Sequence, residues 1–358
     1  MEPKLTDLTP PQGFERLVLA EAPEAGLRAL ICIHSTALGP AAGGCRMWPY
    51  AGDAEAVQDV TRLARGMTYK NAMAGLGLGG GKSVIIGDAR RDKTPAMMRA
   101  FGQAVEALAG SYYTAEDVGI STADMAEAAS RTRYAVGLTG GAHGSGDPSP
   151  WTAEGVFRCL RVGAARVFGS EDLAGRRVLV QGLGHVGLSL AEKLHGAGAE
   201  LVVADINQAA VQDARQRLGA ASCAPDEIFA PQVDIFAPCA LGGVLTEGSA
   251  AQLSARLVCG AANNQLATPA VAETLRKRGI TYLPDYVVNA GGIISVASEI
   301  HRKDDRWRRD RLAGIAERIA EMLARAEAEG RTTTDIADSM VERMLARSRN
   351  AKPQHAQA

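Results

Sequence analysis

The spacing of apolar positions switches repeatedly along the chain between the period of a strand and that of a helix. Residues 15–21 and 27–34 are apolar, strand-like runs joined by a short turn at Pro23 to Gly26, which predicts a hairpin. Residues 38–48, LGPAAGGCRMW, read as a Pro/Gly-rich loop ending in Arg46, Met47 and Trp48. Asp53 is placed to cap a helix whose apolar positions Val57, Val60, Leu63, Ala64 and Met67 recur at helical spacing. The β-branched run Val84-Ile85-Ile86 predicts a strand, and Pro95 opens a helix to about Ala109. Tyr112-Tyr113-Thr114 is a short strand, and Ser121 caps a further helix with Asp124 as its capping-box partner. Strands alternating with helices define an α/β unit.

The stretch 137–150, GLTGGAHGSGDPSP, is the best boundary in the chain. A helix over 152–168 follows, then the buried strand 178–181 and the glycine turn Gly182-Leu-Gly184-His185-Val186-Gly187. That turn opens an apolar helix, and the next strand, 201–204, ends at Asp205. Strands at 234–236 and 257–259 run into the loops APCALGG and GAANNQL. An apolar helix at 293–300, charged helices at 304–329 and 334–348, and a polar, fraying tail at 350–358 complete the prediction.

Composition narrows the class. At 358 residues the chain is long enough for two domains, and 46% hydrophobic with 22% charged residues describes a soluble globular protein. A formal net charge of -1 leaves no basic surplus for nucleic acid or an anionic membrane. No run approaches the length of a membrane span and the N-terminus has no apolar signal region, which points to the cytoplasm. Six cysteines are scattered without metal-ligand spacing, so they read as reduced thiols, and no metal is expected.

Two segments carry chemistry. In Met67 to Asp88, Lys70 and Lys82 flank a run containing Gly75, Gly77, Gly79, Gly80 and Gly81. A glycine run lets the backbone approach something closely, and a lysine desolvated beside it becomes a usable base. Two solvated lysines on a glycine hairpin are the plainer reading. The second segment is the GxGxxG turn, set between a strand and a helix, with Asp205 ending the following strand. That context is what a dinucleotide pyrophosphate requires, and an acid at the second strand end favours NAD by repelling a 2′-phosphate.

In order along the chain, LGPAAGGCRMW, RLARGMTYKNAMAGLGLGGGKSVIIGD, TAEDVG, GSGDPSPWTA, VLVQGLGHVG, ADIN, GAANNQL and DYVVNAGGII make this sequence resemble the glutamate/leucine/phenylalanine/valine family of amino-acid dehydrogenases. Within that family it is most similar to the leucine enzymes. The resemblance runs from about Gly26 to Arg347. It implies reversible oxidation of an L-amino acid to the 2-oxo acid and ammonia, with NAD as hydride acceptor. By the same resemblance Lys82 is the general base that activates water, Asp117 shuttles protons at the nitrogen, and Lys70 binds the substrate carboxylate. Asn264 is implied beside nicotinamide and substrate, and Thr152 against the carboxamide. Gly182, Gly184, His185, Val186, Gly187, Asp205, Ile206 and Ala237 are the remaining expected cofactor contacts.

The expected substrate pocket comprises Ala42, Gly43, Gly79, Ala115, Ile293 and Val296. Glutamate-specific relatives carry a lysine where this chain has Ala42, so a glutamate side chain would be buried uncompensated. Leucine enzymes usually carry leucine there, and alanine widens the pocket. A branched-chain substrate leads; phenylalanine or tryptophan is the alternative on the same fold, and a non-catalytic NAD-binding sensor is the alternative of another class. The resemblance assigns Trp151 no role. It implies an N-terminal α/β substrate-binding and oligomerisation domain, residues 1–138, and a Rossmann-type NAD-binding domain, residues 139–325. The active-site cleft is expected between them, residues 326–358 are expected to pack back on the first domain, and a homo-oligomer is expected.

Overall fold

The computed structural model describes residues 2–138, 140 and 146–351. Part of the predicted boundary segment, and the tail from residue 352, lie outside the described residues. The chain divides into two compact units, 1–147 with 295–307 and 341–358, and 148–294 with 308–340.

The first unit is built on a mixed sheet of β1 (Lys4–Leu8), β2 (Arg16–Ala22), β3 (Leu27–Ser35), β4 (Ala41–Trp48), β5 (Gly79–Ile86) and β6 (Tyr112–Glu116), in spatial order β1-β2-β3-β5-β4-β6. The β2–β3 hairpin is antiparallel, with Arg16 opposite Ile33 and Ala22 opposite Leu27. Helix α1 (Asp53–Met73) covers one face, packing Ala56, Val60 and Ala64 on Leu30, Cys32 and Val84. Helices α2 (Pro95–Glu106) and α3 (Thr122–Ala129) cover the other, with Met98, Phe101 and Val105 against Ile31, Met47 and Ile85. The Ser121–Asp124 capping box forms as read.

Three local expectations are corrected. Residues 41–48 are not loop: they form β4, a strand paired in parallel on both sides, to β5 and to β6. Pairing with β5 and β6 overrides the low strand propensity of its glycines, and at Gly43 a Cβ would fall 1.9 Å from the Gly81 carbonyl oxygen. Of the glycine run, Gly79, Gly80 and Gly81 are strand, since β5 begins at Gly79, whereas Gly75 and Gly77 lie in the turn before it. Asp53 is not a cap. Gly52 holds that position, and the Asp53 carboxylate instead accepts from Arg28 Nη2 at 2.6 Å.

The second unit holds an all-parallel sheet of β7 (Arg177–Gln181), β8 (Glu200–Ala204), β9 (Ala221–Ser222), β10 (Ile235–Pro238), β11 (Leu257–Val258) and β12 (Thr281–Tyr282), in order β12-β11-β10-β7-β8-β9. This is the doubly wound order in which the chain reverses direction between β7 and β10. Its inner strands carry fully buried runs such as Val178-Leu179-Val180, whereas the edge strand β9 is exposed. The helices are α4 (Ser149–Phe168), α5 (His185–Gly196), α6 (Gln208–Leu218), α7 (Glu247–Gln252), α8 (Ala270–Lys277) and α9 (Asp285–Val288). Helices α10 (Gly291–Ile300), α11 (Asp305–Glu329) and α12 (Thr333–Ala351) each contribute residues to both units.

Candidate active site

Strand register gathers three charged side chains of the first unit on one face. Ala42 pairs with Gly80 and Cys45 with Ser83, which sets Lys82 beside Gly44; Gly44 pairs on its other side with Ala115. Successive side chains alternate faces, so Arg46, two residues after Gly44, and Asp117, two after Ala115, share the face of Lys82. There Lys82 Nζ donates to Asp117 Oδ2 at 2.5 Å, and Arg46 Nε lies 3.4 Å from the same oxygen. The Lys82 side chain is only 6% exposed. A Cβ at position 44 would lie 2.9 Å from Asp117 Cβ and 3.2 Å from Lys82 Nζ. Gly44 is therefore the space in which the pair meets.

The charge on Asp117 follows from its neighbours. Burial raises its affinity for a proton, but the Lys82 ammonium and the Arg46 guanidinium outweigh it and hold the carboxyl below its usual range. Arg46 is fixed from the other side by Asp59, whose Oδ2 accepts from Arg46 Nη1 at 2.9 Å and from the Tyr50 hydroxyl at 2.7 Å. Burial keeps the Cys45 thiol protonated by pushing it up to about 12.

The other expected substrate residues of this unit fall as follows. Lys70 stands in the last turn of α1, partly buried, two residues beyond Thr68. A Cβ on Gly80 would strike the Thr68 amide nitrogen at 2.0 Å, so the backbones of α1 and β5 touch. The close approach that the glycine run permits is made by the chain's own helix. Ala42 and Gly43 are buried in β4. Gly79 donates its N–H to the Pro40 carbonyl at 2.9 Å and accepts from Asn71 Nδ2 at 2.5 Å. Ala115 and Val296 converge near Gly137, where an added Cβ would lie 3.7 and 3.9 Å from them. Ile293, partly buried, lies three residues before Val296 on α10.

Sequence reasoning noted Arg46 only as the end of a loop and passed over Asn71. The signal for Arg46 was its parity with Gly44, which has meaning only once 41–48 is a strand. Asn71 is fully buried and ties the Gly79 and Ala42 carbonyls together from α1.

In the second unit the glycine turn joins β7 to α5. Gly182 has φ +94, a conformation that side chains other than glycine's rarely adopt. A Cβ on Gly187 would strike the Gly182 carbonyl oxygen at 1.9 Å, so that glycine closes the turn on the helix. Gly184, at the N-cap of α5, has nothing within 4 Å of where its Cβ would be. One glycine is needed for the fold, and the other leaves open space at a helix N-terminus, as a pyrophosphate needs. His185 is exposed and Val186 partly so. Asp205 Oδ2 accepts from the Leu183 N–H at 2.5 Å and Oδ1 from the Asn207 N–H at 2.7 Å, which braces the turn. Ile206 is 88% exposed, whereas Ala237 is fully buried in β10. Thr152, in the first turn of α4, donates to the Pro148 carbonyl at 3.1 Å, and the Arg308 guanidinium stacks 5.3 Å over Trp151. Asn264 holds a left-handed backbone, φ +53, pinned by its N–H to Asp285 and by its carbonyl, which accepts from Gly243 at 2.7 Å. A non-glycine residue held there is typical of functional loops.

A doubly wound unit with a glycine turn at a helix N-terminus and a unit bearing a buried lysine–aspartate pair fit the amino-acid dehydrogenase class, oxidoreductases that generally use a nicotinamide cofactor. Comparison with known proteins agrees. Residues 15–134 match the family described as Glu/Leu/Phe/Val dehydrogenase, dimerisation domain, and residues 205–344 match Glutamate/Leucine/Phenylalanine/Valine dehydrogenase. The chain is similar to the leucine dehydrogenase of Thermoactinomyces intermedius, 45% identical over 98% of this chain and 95% of that one. It is also similar to the phenylalanine dehydrogenase of Bacillus thermotolerans, 43% identical over 92% and 88%. Among solved structures, L-tryptophan dehydrogenase from Nostoc punctiforme superposes with a TM-score of 0.84 at 37% identity, covering 94% of this chain and 97% of that one. The chain belongs to the Glu/Leu/Phe/Val dehydrogenase family. Among the described residues no helix is long and apolar enough to cross a membrane.

Proposed function

We propose that this chain catalyses the reversible, NAD-dependent oxidative deamination of an apolar L-amino acid of the leucine, valine or isoleucine type. The observation that carries the reading is the 2.5 Å contact between Lys82 and Asp117 beneath Gly44. A bound nicotinamide would supply the hydride acceptor for the substrate α-carbon, and the chain's own side chains would handle the resulting imine. Lys70 pairs with the substrate α-carboxylate. Lys82, in its neutral form, takes a proton from water as the water oxygen bonds to the imino carbon. Asp117 relays that proton from Lys82 to the nitrogen, Lys82 then takes the hydroxyl proton, the carbonyl forms as the C–N bond breaks, and ammonia departs. Lys82 thus begins and ends the cycle with the same number of protons once the product proton escapes.

Asp205 supports NAD over NADP, because a 2′-phosphate would meet its carboxylate. Thr152 and Asn264 would orient the nicotinamide. Ala42 and Ala115, with Val296, are the apolar residues we assign to the substrate side chain, and none can neutralise a distal carboxylate. Domains of residues 1–138 and 139–325, a cytoplasmic setting and homo-oligomerisation through the first domain belong to the same proposal; the family description covering residues 15–134 names dimerisation.

The test is the rate of NADH formation with L-leucine, L-valine, L-isoleucine, L-methionine, L-phenylalanine, L-tryptophan and L-glutamate. Highest kcat/KM on the branched residues is expected. Preference for the aromatic pair would mean that Ala42 sets the pocket, and silence across the panel with NAD still bound would return the chain to a sensor.

A further inference from the structure

Asp117 is shared between two cations. Its Oδ2 takes Lys82 Nζ at 2.5 Å and lies 3.4 Å from Arg46 Nε, a buried donor that makes no hydrogen bond. The far side of the guanidinium is anchored on α1 through Asp59, which also accepts from Tyr50 and, at 2.8 Å, from Arg62 Nη2. Arg46 is held by Asp59 as well as by Asp117, with which it forms an ion pair without a hydrogen bond.

We propose that Arg46 is a positioning residue for the deamination, a second and permanent cation that compensates Asp117 during the interval in which Lys82 is neutral. The inference rests on the catalytic reading of Lys82 and Asp117 given above. The demand for such a residue is one of charge balance. While Lys82 is an ammonium, it neutralises Asp117. When Lys82 is neutral and ready to take a proton from water, the carboxylate, 23% exposed, loses that partner inside the fold, and a buried uncompensated anion is strongly disfavoured. A guanidinium does not deprotonate in proteins, so its charge persists through every proton movement of the cycle.

The neighbouring titratable groups are neutral or engaged elsewhere. Cys45 and Tyr112, on β4 and β6, are kept neutral by burial. Asp124 is paired with Lys93 at 2.6 Å, and Arg62 is engaged by Asp59. Glu116 alternates to the other face of β6, and burial, with Asp147 adding to it, raises its proton affinity. Of the two cations ion-paired with Asp117, Arg46 is the one whose charge is not consumed by the reaction.

The test uses the pH dependence of kcat/KM for the preferred amino acid in the full-length enzyme. A fixed positive charge disfavours a proton on the Lys82–Asp117 pair, so Arg46→Gln should move the acid limb to higher pH by about one unit. At neutral pH the variant should then be roughly tenfold slower and should recover at high pH, where the pair is deprotonated in both proteins. Arg46→Lys, which keeps the charge, should restore the limb. Asp59→Asn, which removes the competing anion, should move it the opposite way, and it reads the proposal even if Arg46→Gln does not fold. An equal loss at all pH values in Arg46→Gln, or an unmoved limb in Asp59→Asn, would show a purely structural arginine and overturn the inference. Absence of amino-acid oxidation by the unsubstituted enzyme would overturn the catalytic reading instead.

Discussion

Lys82 on β5 and Asp117, the residue that follows β6, lie 35 positions apart in sequence, yet meet at 2.5 Å through a single oxygen. Neither strand would deliver that contact alone. It depends on β4 lying between β5 and β6 and carrying a glycine where the two side chains cross.

Removing either member should separate chemistry from cofactor binding. Lys82→Ala and Asp117→Asn should each lower kcat by about 10²–10⁴-fold, the usual range for a lost proton-transfer group. NAD binding, followed by quenching of intrinsic fluorescence, should be retained. Near-normal turnover in Lys82→Ala would remove its assignment as base.

Gly44→Ala tests the space itself. The new methyl would sit 2.8 Å from the Glu116 carbonyl oxygen as well as 2.9 Å from Asp117 Cβ. Overpacking of this kind costs about 1–3 kcal/mol, and urea unfolding should report it. Because the methyl wedges against Asp117, kcat should fall with it. An active, fully stable Gly44→Ala protein would show that the strands can spread.

Asp205→Ser should weaken NAD and relax discrimination against NADP, read as the ratio of kcat/KM for the two cofactors. The wild-type carboxylate also holds the Leu183 and Asn207 amides. Some loss of affinity for both cofactors should therefore accompany the change in ratio. An unchanged ratio would move the discriminating role elsewhere.

His34 makes stability depend on pH. It is 8% exposed, with Nδ1 2.8 Å from Thr68 Oγ1, and burial, reinforced by Arg65, pushes its pKa below the ordinary 6.5. The unfolded chain then binds its proton more readily than the folded one, so unfolding free energy rises with pH in this window. The contribution is complete above about 6.5 and is lost as pH falls toward the lower folded value. Urea midpoints measured from pH 7.5 down to 5 should decline, and His34→Gln should flatten that part of the decline. Equal slopes for both proteins would assign it to other groups.

Much of this architecture is legible in the sequence because local signals and tertiary packing agree. The Ser121–Asp124 box, Pro95 in the first turn of α2 and the strand–GxGxxG–helix–strand–Asp205 run each combine a side-chain device with an apolar period. What escaped was decided by neighbours rather than by propensity. β4 reads as a loop because Gly43 and Gly44 are poor strand formers, and only adjacent backbone explains why larger residues would not fit. β12 is two residues long and leaves no period to detect. Arg46 was hidden by the same error, since a charged residue at a loop end attracts no notice, whereas one on an interior strand of a sheet, two positions from a crowded glycine, does.

The backbone contact between Thr68 and Gly80 has a further meaning. Lys70 lies two residues beyond one partner and Lys82 two beyond the other, and a Cβ on Gly80 would meet the Thr68 amide nitrogen at 2.0 Å. The separation between the two lysine main chains is thus gauged by polypeptide against polypeptide, with no side chain interposed as a shim. A pocket residue such as Ala42 can be exchanged to admit a different amino acid without resetting that gauge. Under the proposed roles of Ala42, Lys70 and Lys82, substrate choice and catalytic alignment would be set by different contacts of this scaffold.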